Sequence, residues 1–287
     1  MRTLRRRWPM VLGTLITAAM VIALGKQLLS AGLAGLTRSV PGDPRFYIAF
    51  ALLYLSPVTG DYIIFRRLWR IPAAGYVALL KKRIANEVVL GYSGEAYFYA
   101  WARQRAEIVA APFGAVKDVS FLSAIAGNAM TLAMMAVALP LGVHLIPPAE
   151  YEAIAWSAVI VVAMSLPFLI FSKRVFSLQR RVLWWIFMIH LLRLIAGSVL
   201  IAIAWHYALP TVSVWMWLFL AAGRLLVSRL PLVPNKDLLF ANFAILLIGQ
   251  NEALTQLVAV TAALTLLVHA ALTIVFSVYA LMTRVRV

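Results

Sequence analysis

The strongest constraint on this chain is a row of apolar stretches, each bounded by basic or turn residues. They lie near 8–29, 46–65, 119–146, 153–172, 182–206, 211–228, 237–250 and 253–281. A bilayer core takes about 20 consecutive apolar helical residues to cross. Only helices and closed barrels satisfy their backbone groups there. Composition agrees, because 64% of the 287 residues are hydrophobic and 13% are charged. Soluble chains run at ~45–50% and ~25%. An ordinary soluble protein is excluded, and so is disorder, which needs low hydrophobicity. The expected fold is all-α, a polytopic membrane helical bundle forming one membrane domain over 1–287. It should contain about six full spans plus two broken or re-entrant segments.

Charge sets the expected orientation. The chain carries 26 Lys+Arg against 10 Asp+Glu, a net +16. These basic residues sit beside apolar runs, where they orient spans and meet anionic headgroups. No nucleic-acid motif accompanies them. Arg66, Arg67 and Arg70, then Lys173, Arg174, Arg180 and Arg181, then Arg229 and Lys236, then Arg284 and Arg286 all fall on one side. The opposite loop, Pro147 to Glu152, has no Lys or Arg. Both termini are therefore expected in the cytoplasm of a bacterial-type inner membrane, with the first apolar stretch an uncleaved span. Cysteine is absent, which excludes disulfides, Fe–S clusters and thiol catalysis.

Two stretches break the pattern. In 72–112, Val77, Leu80, Ile84 and Val88 recur at helical spacing among Lys81, Lys82, Arg83, Asn86 and Glu87. A break at Gly91–Gly94 and a second helical piece follow, with Tyr97, Phe98, Tyr99, Trp101, Arg103 and Arg105. This reads either as two interfacial amphipathic helices or as a re-entrant hairpin. The second stretch is 230–250. Here Pro231, Pro234, Asn235, Lys236 and Asp237 precede a thirteen-residue apolar run, 238–250. That run is short for a span and suits a half-helix capped by Asn235 or Asp237. Paired interrupted segments are a pointer to a transporter's substrate site.

The run Asn86-Glu87-Val-Val-Leu-Gly91-Tyr-Ser-Gly94-Glu95, followed by Arg103, resembles the first signature of the lysylphosphatidylglycerol synthase transmembrane region. This is the flippase-like family that includes the membrane half of multiple peptide resistance factor. Pro231 to Asp237 stands where that family carries a glycine-rich loop, without its glycines or its following Glu. The family's cytosolic synthase domain has no counterpart in this chain. The resemblance implies movement of an anionic phospholipid or lipid-linked glycan, with Asn86, Glu87, Gly91, Gly94, Glu95, Arg103, Pro234, Asn235 and Lys236 at the headgroup. The alternative is a non-transporting accessory protein that binds lipid or scaffolds an envelope-biosynthesis enzyme.

Polar residues inside the spans add to the candidate site. Arg193 lies near the middle of Val182–His206, where an arginine costs ~2.5–3.5 kcal/mol on insertion scales. His190, Arg193 and Gly197 share one helix face. Arg193 reads either as a ligand for a lipid phosphate or as the partner of Glu87, Glu95 or Asp118. Asp61 reads as a surface charge or a partner for the Arg66–Arg70 cluster. Arg224 reads as a snorkelling residue, and His269 as an interhelical hydrogen-bonder. Asn128, Thr131, Asn242 and Gln250 read as interhelical glue. No metal-binding, P-loop, dinucleotide or nucleophile-elbow motif occurs, so neither enzymatic activity nor a cofactor is expected.

Overall fold

A computed structural model of the chain describes residues 22, 40–89, 93–105, 112–142, 151–170, 175–229 and 251–284. Among them no strand occurs, and eight helices have described ends. In chain order these are α1 (Pro44–Trp69), α2 (Ala74–Val88), α3 (Ser93–Arg105), α4 (Pro112–Gly142), α5 (Tyr151–Ile170), α6 (Arg180–Ala208), α7 (Val214–Arg229) and α8 (Asn251–Arg284). Three stretches are long and apolar enough to cross a membrane: Pro44–Trp69, Arg180–Ala208 and Gln256–Tyr279. That is fewer than the six full spans expected. The expected spans at 8–29 and 237–250 lie outside the described residues. The expected span at 211–228 is shortened, because its start is a turn and its apolar helix is only Val214–Leu225. Helices α4 and α5 cover residues 119–142 and 153–170 of the expected spans at 119–146 and 153–172, whose last residues lie outside the described ones.

The exposed residues fit a lipid solvent. On α6, Trp184 and Leu192 are 63% and 60% exposed, and Met188, Ile195 and Val199 continue the same stripe. On α8, Ile274, Val275, Val278 and Tyr279 are exposed. A helix that is apolar on every side belongs in a protein interior or a bilayer.

The chain divides into two compact units. One comprises 1–40, 61–113 and 256–287, and the other 41–60 and 114–255. In the first, α2 and α3 form a helical hairpin. The buried side chains Ile84, Ala85 and Val88 of α2 pack with Tyr97 of α3 and with Leu266, Leu272 and Phe276 of α8. Phe65 of α1 meets Phe98 of α3 at 4.6 Å between ring centroids. Of the apolar stripe expected on α2, Leu80, Ile84 and Val88 are buried and Val77 is exposed, and the buried face widens to take in Ala78, Leu79, Lys82 and Ala85. The hairpin is covered on more than one side, so Lys82 on its polar side is buried while Glu87 is exposed.

In the second unit, α6 and α7 pack side by side through Trp205 and Trp217, 5.5 Å apart. Their connection is held by local chemistry. The Ser213 hydroxyl accepts the Met216 N–H and caps α7, and His206 Nδ1 lies 2.9 Å from the Val212 carbonyl. The buried residues Ala115, Val116, Val119, Leu122, Ala126 and Met130 recur at helical spacing along α4. Asp118 on the same helix is fully buried and accepts the Ser177 and Leu178 N–H groups at 2.7 and 2.9 Å. It thereby pins the chain just before α6.

Candidate functional site

The two units hold separate polar constellations. The first is built on the α2–α3 hairpin. Asn86 and Gly94 are eight residues apart in sequence, and the hairpin of α2 and α3 brings them together. The Gly94 N–H donates to Asn86 Oδ1 at 2.7 Å, and the Ser93 hydroxyl donates to the Ala85 carbonyl at 2.9 Å. The α3 N-terminus thus finds acceptors on α2, which would otherwise be missing at a helix start. Gly94 also sets how closely the helices approach. A Cβ placed there would lie 2.0 Å from the Lys82 carbonyl oxygen, well inside contact distance. Only glycine fits.

This close approach carries Glu95 to Lys82. Lys82 Nζ sits 2.7 Å from Asp61 Oδ2 and 3.4 Å from Glu95 Oε1. The Lys82, Asp61 and Glu95 side chains are 9%, 12% and 17% exposed. One ammonium therefore lies between two carboxylates inside the protein, joining α1, α2 and α3. The Glu95 Oε2 atom is buried without a hydrogen-bond partner among the described residues. Glu87, one turn further along α2, accepts from Arg83 Nε at 2.7 Å and lies 3.4 Å from His269 Nε2 of α8.

The Asp61 reading is thereby corrected. It is neither a surface charge nor, in its ion pair, a partner of the arginine cluster. It is buried on Lys82. Sequence reasoning missed Lys82 as well, because lysine is flanked there by Lys81 and Arg83 and the three read as one solvated run. The available signal was facial. Asp61 shares a helix face with buried Val58, Ile64 and Phe65, and Lys82 shares one with buried Ala78, Leu79 and Ala85. Arg103 does not join the group. It is exposed on α3, eight residues beyond Glu95 and so ~12 Å away along the axis. Gly91, Pro234, Asn235 and Lys236 lie outside the described residues.

The second constellation lies on α6. Arg193 Nη2 donates to the Ser123 hydroxyl of α4 at 2.6 Å. Its aliphatic stem lies against Gly60, where a Cβ would come within 3.1 Å of Arg193 Cδ. One turn earlier His190 is fully buried, with Nε2 3.1 Å from the Val119 carbonyl. Each acid expected near Arg193 has neighbours of its own. Asp118 takes the two loop N–H groups, Glu95 lies on Lys82, and Glu87 lies on Arg83 and His269. Gly197, on the same face, stands against Leu53 instead.

Other polar residues take simpler places. The Thr131 hydroxyl donates to the Gly127 carbonyl of its own helix rather than across an interface. The Arg224 guanidinium lies 6.0 Å from the Trp205 ring centroid. Asn242 and Gln250 fall outside the described residues. At the start of α1, Arg45 makes a forked pair with Asp43 and stacks over Tyr207 at 4.5 Å. Its side-chain hydrogen bonds hold the Asp43 carboxyl below its ordinary pKa of 3.8.

No family model, curated protein or solved structure matches the chain.

Proposed function

We propose that the chain is a flippase-like integral membrane protein that moves an anionic phospholipid or lipid-linked glycan across an inner membrane. The observation that carries this reading is the depth of the hairpin tip. Lys81 lies over Phe276, and Glu87 meets His269. The α2 helix therefore runs antiparallel along α8, and its tip reaches the level of His269. That residue sits about 2 Å from the midpoint of the apolar stretch Gln256–Tyr279, at ~1.5 Å per residue. This supports a re-entrant hairpin over a pair of interfacial helices. Broken backbone and charge at that depth are tolerated where protein encloses them or a wet cavity is lined. Ionisable groups there mark substrate or ion paths.

Arg193 is the phosphate ligand in this reading. It lies at the centre of the Arg180–Ala208 helix, and one of its five N–H donors reaches the neutral Ser123 hydroxyl. A guanidinium fork binds phosphate oxygens in pairs. The hairpin, in the other compact unit, holds its charges in pairs: Asp61 and Glu95 on Lys82, and Glu87 on Arg83 and His269. About six full spans, two broken segments and cytoplasmic termini complete the proposed layout.

The test is lipid movement in proteoliposomes containing labelled anionic phospholipid. Wild type should move the label between leaflets, and Arg193→Ala should slow it at least tenfold while keeping its melting temperature. Well-folded wild-type protein that moves neither phospholipid nor a lipid-linked glycan would overturn the transport reading in favour of an accessory role.

A further inference from the structure

The corner between α1 and α2 carries a feature that the transport reading does not use. Arg70 follows the last residue of α1 and has φ 51°, the only positive φ among the described non-glycine residues. A helix end commonly closes with such a left-handed residue, and glycine is the usual choice because a side chain is strained there. Its N–H still makes the closing bond to the Arg66 carbonyl, at 2.9 Å. The rest of the corner is tightly built. Ile71 is 1% exposed, and a Cβ on Gly75 would come within 2.8 Å of Ile71 Cδ1. The Arg66 guanidinium is tied to the Tyr62 hydroxyl and reaches the Ile71 carbonyl. Glycine thus appears at the corner where packing demands it, while the strained position holds arginine. A strained backbone kept without need of its side chain for packing points to use of that side chain.

The surroundings indicate the use. Over residues 62–80 the chain holds Arg66, Arg67 and Arg70 and no acid. Arg66, Arg67 and Arg70 are exposed at the end of a stretch long enough to span. The Arg70 side chain makes no hydrogen bond or ion pair with the described residues. Trp69 beside it is of the type that anchors at headgroup level. We infer that this corner is a docking surface for the anionic leaflet, with Arg70 held rigidly outward to bind the phosphate of an acidic phospholipid headgroup. The inference stands whether or not the chain transports lipid.

The experiment uses the full chain in detergent, titrated with phosphatidylglycerol or phosphatidylcholine and read by native mass spectrometry. One basic residue near an anionic surface corresponds to about a fivefold change in affinity. Arg70→Gly should lower phosphatidylglycerol affinity by about that factor, leave phosphatidylcholine unchanged, and keep or raise the melting temperature because strain is relieved. Arg70→Ala should show the same selective loss without that relief. Unchanged phosphatidylglycerol binding in both variants would overturn the inference, as would an equal loss for the two lipids. A lower melting temperature in Arg70→Gly would also overturn it, because the side chain would then be serving the fold.

Discussion

Replacing Lys82 by Met removes the one ammonium between Asp61 and Glu95 and leaves two buried carboxylates facing each other across an apolar side chain. At an effective dielectric constant of 20, the 2.7 and 3.4 Å pairs correspond to gross attractions of about 6 and about 5 kcal/mol. Much of that is offset by the desolvation of three charges. The net loss on removing one partner of a buried cluster is about 3–5 kcal/mol. Reversible denaturant titration of the purified protein in mixed micelles would measure it. The diagnostic comparison is the triple variant Lys82→Met, Asp61→Asn, Glu95→Gln, which keeps the shapes and removes every charge. It should recover most of the loss, because a fully neutralised cluster no longer holds an unpaired buried charge. A single Lys82→Met variant within about 1 kcal/mol of wild type would refute the buried-triad reasoning. So would a triple variant as unstable as the single one, since the loss would then come from packing and not from charge.

Three further outcomes follow from the packing. Gly94→Ala should separate α2 from α3, since no rotamer adjustment removes a contact with backbone; cross-linking between cysteines placed at Ala85 and Tyr97 should fall sharply. Asp118→Ala removes two charge-assisted hydrogen bonds worth roughly 1.5–3 kcal/mol each, and hydrogen exchange should rise first at Ser177 and Leu178. The Asp43 carboxyl has a lowered pKa when folded, chiefly through its side-chain bonds to Arg45. Its contribution to stability should be complete above the ordinary carboxylate range and be lost as pH falls through the lowered folded value. Comparing acid melts of wild type and Asp43→Asn would reveal this, with the two curves converging at the acid end.

The helical class, the apolar helices long enough to cross a membrane and the end of α2 shortly before Gly91 were legible in the residues themselves. Apolar runs long enough to span can satisfy their backbone only as helices or closed barrels, and Gly91–Gly94 interrupts a pattern that is otherwise helical on both sides. The nearness of Asn86 and Gly94 was readable because the two lie only eight residues apart on either side of a glycine-containing break in the apolar pattern. The Asp61–Lys82 pair was not readable in the same way. Its members are 21 residues apart, and one basic residue among three in a row gives no sign of which will turn inward. That choice depends on the rotation of α2 about its axis, which is set by packing against α8 on one side and by the Gly94 contact on the other. Likewise, the sequence of α6 placed Arg193 at mid-span but left its partner open. Only the packing of α4 against α6 decided that the Ser123 hydroxyl would stand opposite Arg193 and that the loop N–H groups would meet Asp118.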